Sequence, residues 1–185
     1  TIADQEMTVE LSRIDLKQFK KVLPYLPDVE GWLGGSLHYV DSEGQMMLSA
    51  DMNLDNFVYE KSPLGNWTMS GAYLPGDNNA HHVDGFITYN DQEIIYMNGV
   101  YQADETGQEN ITGELELQHF PLRVINPFIP EKMVAFIGDI DGTLSMTGSP
   151  MKPVLNGGLQ LDSVLMIMPD MSVGFRFDNK QVKMQ

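Results

Sequence analysis

The sequence predicts an all-β fold, a meander of antiparallel strands with one or two short helices. Two observations predict it. Apolar and polar residues alternate with a period of two along most of the chain, as they do in strands that bury one face. Turn-forming segments interrupt this alternation about every ten to fifteen residues, a spacing typical of antiparallel neighbours. These segments are Asp41–Gly44, Pro75–Asn79, Asn90–Gln92 and Asp104–Gln108.

The clearest strand pattern runs from Asp139 to Gly148. Its even-numbered positions, among them Ile140, Leu144 and Met146, are apolar residues or glycine, whereas its odd-numbered positions are aspartate, serine or threonine. A strand with this pattern presents one apolar face and one polar face. Further strands are predicted at Met7–Ser12, Gly35–Val40, Gln45–Tyr59, Trp67–Leu74, His82–Asn90, Glu93–Ala103, Asn110–His119, Val154–Met168 and Met171–Asp178.

One segment near the start of the chain shows helical spacing instead. Its apolar stripe consists of Leu16, Phe19, Leu23 and Leu26. The spacing of 3, 4 and 3 residues predicts a short helix over about residues 15–23. Asp15, with Gln18 three residues later, has the arrangement of a capping box, and Pro24 ends the helix early.

A second short helix is predicted over about residues 121–126. Pro121 suits the first position of a helix, where its missing N–H costs nothing. Pro127 then limits the length of the helix. Each of the two helices is therefore expected to have no more than two or three turns.

The chain contains an internal repeat. Three residues of the first helical region, Leu11, Leu16 and Pro24, recur 106 residues later. A longer block recurs 107 residues later without a gap: Gly31, Gly35, Leu37, Leu48, Leu54 and Asp55 return as Gly138, Gly142, Leu144, Leu155, Leu161 and Asp162. We therefore predict one repeat unit over residues 1–110 and the start of a second over residues 111–185. Repeats of this kind stack into elongated arrays with contacts only between neighbours.

The composition excludes several classes of function. The 26 Asp and Glu residues outnumber the 11 Lys and Arg residues, which gives a net charge of −15. A surface this acidic repels phosphate backbones, so we expect no nucleic acid partner. The absence of cysteine excludes disulfides, thiolate metal sites and a cysteine nucleophile.

Histidines and carboxylates give no recognisable catalytic or metal-binding pattern. His81 and His82 are adjacent and follow a turn-like segment, so we expect them in a solvated loop rather than on a shared metal. Asp139 and Asp141 lie on the same face of the predicted strand, about 7 Å from each other. That separation resembles the carboxylate pair of glycosidases, but it also fits any solvated strand face. We predict no catalytic, cofactor-binding or metal-binding residues.

The second repeat block also carries a family resemblance. It combines glycines and aliphatic residues at fixed spacings in Gly138–Leu161, preceded by Leu117–Leu122 and Pro127–Pro130. Val83–Tyr89 and Ile95–Tyr101 belong to the same pattern. Together these segments, which cover most of residues 9–178, resemble the TamB/AsmA-like translocation and assembly module family. The first copy departs from the pattern, because Asp-Ser-Glu-Gly stands at residues 41–44 in place of the Gly-Ser-Pro turn.

The resemblance implies an elongated, bent antiparallel sheet whose concave face is an apolar groove. It implies a segment of a large periplasmic protein of the Gram-negative envelope, anchored in the inner membrane and working with an Omp85/TamA-like outer-membrane barrel. The implied function is non-enzymatic, without cofactors: phospholipid transport between the two membranes, outer-membrane protein assembly, or both. We expect any targeting or anchoring segment to lie outside this chain.

An alternating sheet must cover its apolar face, and acyl chains of phospholipids would do so in a groove. Two alternatives stay open: a closed β-sandwich used for binding or adhesion, and a glycan-active β-solenoid enzyme. Free edge strands would also allow self-association. The residues predicted to line the groove are Leu37, Leu48, Met52, Leu54, Leu115, Leu117, Ile140, Leu144, Met146, Leu159, Leu161, Leu165, Ile167, Phe175 and Phe177.

Overall fold

A computed structural model describes residues 5–42, 45–103, 107–130, 133–177 and 180–184. The described residues form one open antiparallel sheet of eleven strands, which confirms the predicted all-β class. The strands are β1 (Gln5–Asp15), β2 (Val29–Ser42), β3 (Gln45–Tyr59), β4 (Ser62–Pro75), β5 (Ala80–Tyr89), β6 (Gln92–Ala103), β7 (Glu109–Pro121), β8 (Ala135–Ser149), β9 (Lys152–Met168), β10 (Val173–Phe177) and β11 (Lys180–Met184).

The strands follow one another across the sheet in the order of the chain. Each strand from β1 to β10 pairs with the next. β11 also pairs with β9, in the same register as β10: Val173 opposes Met168, and Lys180 opposes Leu161. The described residues contain no second sheet, so the closed sandwich considered as an alternative is not what they form.

One helical segment follows the first strand of each of the two predicted repeat units. Helix α1 (Lys17–Val22) lies within the predicted range of 15–23. Its N-cap is Leu16, and the Asp15 carboxylate accepts a hydrogen bond from the Lys17 N–H at 3.0 Å, so the predicted capping box with Gln18 is wrong.

The second helical segment is a 3-10 helix, Leu122–Phe128, called the roof helix below. It begins at Leu122, so Pro121, which we predicted at the first helical position, is instead its extended N-cap and the last residue of β7. Pro127 lies inside the helix and does not end it. The φ of proline, fixed at about −65°, lies within the range of a 3-10 helix, so Pro127 removes only the hydrogen bond that its own nitrogen would have donated. Two further 3-10 turns, Asp77–Asn79 and Pro169–Met171, connect strands.

Irregular backbone positions recur at the offsets of the sequence repeat. Arg13 and His119, 106 residues apart, both have positive φ and interrupt the β1–β2 and β7–β8 pairings. Gly31 and Gly138, 107 residues apart, have positive φ at the next irregularities in β2 and β8. The same conformation at matched positions extends the repeat from sequence to backbone, whereas the unit boundary at residue 110 stays a prediction.

The register divides the sheet into an apolar face and a polar face. A row of directly paired residues on the apolar face crosses nine strands, and the row beside it lies on the polar face. The apolar row is Val9, Leu37, Ala50, Gly71, Gly85, Met97, Leu115, Leu144 and Gly157. The polar row is Thr8, His38, Ser49, Ala72, Asp84, Asn98, Glu114, Ser145 and Asn156.

Glycines let the sheet bend towards the apolar face. A Cβ atom on Gly85 would lie 2.7 Å from the carbonyl oxygen of Ser70, and one on Gly142 would lie 2.2 Å from that of Gly158. Backbones this close leave no room for a side chain, and glycines at mid-strand positions introduce curvature. The apolar-face glycines of this kind are Gly35, Gly85, Gly113, Gly142 and Gly157.

Most of the apolar face has no cover. The chain exposes 12498 Å², whereas a compact folded protein of the same mass, 20.8 kDa, exposes about 8,900 Å². The hydrophobic residues buried in the described part of the chain are Leu64, Ile94, Val124, Leu144 and Val164. Leu64, Ile94 and Val164 lie on strands close to the end of the sheet that carries the roof helix, and Val124 belongs to the roof helix itself. The buried hydrophobic core is therefore concentrated at that end of the sheet.

Candidate apolar groove

The roof helix crosses the apolar face from β8 to β3. Asn126 fixes it to β8, because its side-chain amide donates to the Phe136 carbonyl and its oxygen accepts from the Phe136 N–H, both at 2.8 Å. Phe128 packs on Tyr59 of β3 with ring centroids 4.5 Å apart. The Arg123 guanidinium stands 5.8 Å from the ring of Tyr89 on β5. The roof helix is thus held above several strands.

We expect Asn126→Ala to destabilise the protein by about 2–6 kcal/mol. The substitution leaves the half-buried N–H and carbonyl of Phe136 without their partner, at a cost of roughly 1–3 kcal/mol for each group. Urea unfolding of the wild type and the variant measures the change. Asn126→Asp keeps the acceptor and loses the donor, so it should fall between the two. Equal unfolding midpoints for all three proteins would contradict the role of Asn126 in holding the roof helix to β8.

Beneath the roof helix lies a cavity of about 420 Å³. This volume is in the range of small-molecule pockets, which are mostly apolar. The roof helix contributes Val124, Ile125 and Phe128 to it. The sheet contributes the floor of the cavity, which consists mainly of Leu33, Met52, Leu54, Phe57, Leu64, Trp67, Met69, Ile87 and Phe120.

A second cavity of about 230 Å³ continues the first one along the strands, away from the roof helix. Met69 lines both cavities, and Tyr73 and Val83 line the second one. Met69 and Val83 are 47% exposed, so this part of the floor faces solvent. The two cavities form one apolar path from the roofed part of the sheet to its open part, called the groove below.

Thirteen of the fifteen predicted lining residues lie on the apolar face, and Leu165 and Ile167 do not. Leu165 opposes Arg176, and Ile167 opposes Gly174, on the polar face. Ser163 has a φ of 50°, and this left-handed residue shifts the alternation of β9 by one position. The predicted lining role of Leu165 and Ile167 is therefore corrected to the opposite side of the sheet.

The shift in β9 brings other residues to the apolar face. Val164, which is 3% exposed, opposes Phe177, and Met166 opposes Phe175. Of the predicted residues, Met52 and Leu54 line the roofed cavity and Leu48 lines the open one. The remaining ten residues on the apolar face lie outside these two cavities.

Sequence reasoning missed the roof helix as part of the groove and several floor residues. Met69 and Ile87 follow the period of two within predicted strands, so the alternation of apolar and polar residues could have identified them. Phe57 follows Asn56, whose φ of 52° shifts the alternation of β3. No local signal shows that Phe128 reaches Tyr59, because that contact joins distant parts of the chain.

On the polar face, His119 and Asp141 form a close pair. The Asp141 carboxylate accepts from the His119 N–H at 2.7 Å and contacts the Nδ1 atom of its ring at 2.6 Å. The hydrogen bond with Asp141, then the negative charge of Asp141, raises the pKa of His119. Desolvation opposes this increase with the next-largest effect, and the charges of Asp139 and Asp162 raise the pKa of His119 further.

We expect His119 to titrate above its ordinary pKa of 6.5 in the folded protein. A histidine whose pKa is raised on folding stabilises the fold fully below its unfolded pKa, and this contribution is lost as pH rises through the folded pKa. NMR titration of the imidazole measures the midpoint. Asp141→Asn should lower it, whereas a midpoint at or below 6.5 in the wild type would contradict the pairing.

The two adjacent histidines lie within β5 and not in the solvated loop that we predicted. The strand begins at Ala80, directly after the turn Asp77–Asn79, which ends at the same residue as the predicted turn segment Pro75–Asn79. His81 lies on the apolar face, where its Nδ1 atom is 2.6 Å from the Tyr73 hydroxyl, and His82 lies on the polar face opposite Leu74. Within the described residues, no group of three His, Asp or Glu side chains is placed to hold a metal.

None of the helices in the described part of the chain has the length and apolar content needed to cross a bilayer. No protein-family model matches the chain, and no curated protein or solved structure matches it either.

Proposed function

We propose that this chain is a non-enzymatic segment of a TamB/AsmA-like protein of the periplasm and that its groove holds acyl chains of phospholipids. The observation that supports the proposal is a continuous apolar face, bent by glycines and left largely uncovered in a single sheet. In this function the parent protein is anchored in the inner membrane. It works with an Omp85/TamA-like barrel in phospholipid transport, outer-membrane protein assembly, or both.

The physical basis of the proposal is the transfer of acyl chains from water to the groove. Each buried methylene contributes about 0.8 kcal/mol, so a chain of ten or more methylenes is held strongly. The floor consists mainly of aliphatic and aromatic residues and methionine, and methionine adapts to partners of irregular shape. The surface that lines the two cavities is predominantly apolar and offers no strong local trap, so a bound chain slides along it.

Native mass spectrometry of the protein purified from bacterial cells, combined with lipid extraction, tests the proposal. We expect adducts with phospholipid masses and uptake of a fluorescent phospholipid added to the delipidated protein. Met52→Asp, which places a charge in the roofed cavity, and Leu48→Asp, which places one in the open cavity, should lose both signals while their circular dichroism spectra stay unchanged. A wild-type protein that carries no lipid and takes up none would contradict the proposal.

A further inference from the structure

We propose that the groove selects phospholipids whose headgroup carries an ammonium group, and that Tyr73, His81, Tyr101 and Glu109 recognise this group. This inference rests on the proposed function and adds the headgroup class to it. The four residues, called the aromatic ledge, lie on the apolar face near the strand ends that are remote from the roof helix.

The aromatic ledge is continuous across β4, β5, β6 and β7. The Tyr73 and His81 rings are stacked with centroids 5.7 Å apart, and the Tyr73 hydroxyl is 2.6 Å from the His81 Nδ1 atom. The rings of His81 and Tyr101 are 5.6 Å apart. The Tyr101 hydroxyl shares a hydrogen bond with Glu109, which raises the pKa of the phenol. The ledge thus ends in a carboxylate.

The ledge lies where a headgroup would lie if the acyl chain occupied the groove. Tyr73 lines the open cavity, and Trp67, six residues earlier on β4, lines the roofed one. Six residues of a strand span about 20 Å, comparable with one leaflet of the hydrocarbon core of a bilayer, about 15 Å. A chain with its tail beneath the roof helix therefore ends at the ledge, where amphipathic aromatic rings suit the boundary between acyl chain and water.

The charge of this region favours a cation. No Lys or Arg occurs among the described side chains of the apolar face, which carries Asp41 beside the Tyr39 hydroxyl and Glu109 beside that of Tyr101. Arg123 lies over Tyr89, at the opposite ends of the strands. The chain as a whole has a net charge of −15.

These features discriminate between headgroups by two effects. An ammonium group gains from the electron-rich faces of tyrosine rings and from a nearby carboxylate. A headgroup without an ammonium leaves the phosphate charge uncompensated near Asp41 and Glu109, and the like charges repel each other. A zwitterionic lipid avoids this repulsion, because its ammonium lies between the phosphate and the carboxylates.

The test compares three fluorescent phospholipids with the same acyl chains, namely phosphatidylethanolamine, phosphatidylcholine and phosphatidylglycerol, titrated into the full delipidated chain. We expect the two ammonium lipids to bind about tenfold more tightly than phosphatidylglycerol. Tyr101→Leu and Glu109→Gln should reduce this ratio to about twofold or less while the groove still takes up all three lipids.

Glu114→Gln is the matched control, because it removes the same charge from the same strand on the polar face. It should leave the ratio unchanged. Equal binding of the three lipids to the wild type would overturn the headgroup inference and leave the groove intact, whereas binding of none would overturn the proposed function. An equal effect of Glu109→Gln and Glu114→Gln would assign the preference to net charge and overturn the role of the ledge.

Discussion

Gly142→Ala is expected to destabilise the sheet by about 3 kcal/mol or more. The added Cβ atom would lie 2.2 Å from the carbonyl oxygen of Gly158 and 3.0 Å from the Cα atom of Leu159. Both atoms belong to the backbone of β9, which cannot move away without breaking its pairing with β8. The φ of 151° adds strain for any residue with a side chain. Backbone strain and overpacking each cost roughly 1–3 kcal/mol.

Gly148→Ala separates these two effects. Gly148 lies on the same strand and face, its φ of 101° is also unfavourable for alanine, but the nearest atom to its Cβ position is the Lys152 oxygen at 3.9 Å. We expect this variant to lose only the strain, about 1–2 kcal/mol. Urea unfolding of both variants measures the difference. Equal losses of unfolding free energy in the two variants would show that the fold does not depend on the close approach of β8 and β9 at Gly142.

Gly35 provides a second test of the same idea. It precedes Gly142 by 107 residues, and its Cβ position lies 2.2 Å from the Asp51 carbonyl oxygen. If the repeat reflects a shared bend, Gly35→Ala should destabilise the protein as much as Gly142→Ala does. The sequence identified both glycines as repeat positions, but their close approach to the neighbouring strand required the structure.

The alternation of residues predicted the faces of the sheet wherever the strands are regular. Residues 139–148 of β8 have no register shift, and Ile140, Leu144 and Met146 lie on the apolar face as predicted. The prediction failed at Leu165 and Ile167 because Ser163 adopts a left-handed conformation within β9. Serine gives no signal of this, since glycine and asparagine are the residues typical of such positions.

The two-residue hairpin turns show the same limit of prediction from residue types. Asn90 and Asp91 both have positive φ, as a tight hairpin turn requires, and their residue types predict the turn. Glu60 and Lys61 adopt the same conformation between β3 and β4, although neither residue type favours it. Here the pairing of two long strands determines the turn, and the local sequence does not.

The candidate groove depended on information that no local pattern contains. The period of two showed that an apolar face exists, but not whether a second sheet or a ligand covers it. The roof helix resolves part of this question, since Phe128 contacts Tyr59 from a distant part of the chain. The rest of the face stays open, and acyl chains are the cover that we propose for it.

Met69→Glu is expected to abolish phospholipid uptake without unfolding the protein. Met69 lines both cavities, so a carboxylate at this position places a charge in the middle of the path that we propose for the acyl chain. Burying an unpaired charge against hydrocarbon costs several kcal/mol, enough to reduce binding by about a hundredfold or more. The side chain is 47% exposed in the free protein, so the new carboxylate reaches water when no lipid is bound.

Leu74→Glu is the control that isolates the face of the sheet. Leu74 lies on the same strand and is 44% exposed, but it faces the polar side opposite His82. The two substitutions change the net charge equally and start from nearly equal exposure, so they should affect unfolding alike. Titration with a fluorescent phospholipid should then show uptake by Leu74→Glu and none by Met69→Glu. Equal uptake by both variants would mean that the lipid does not lie on the apolar face, and the groove would lose its proposed function.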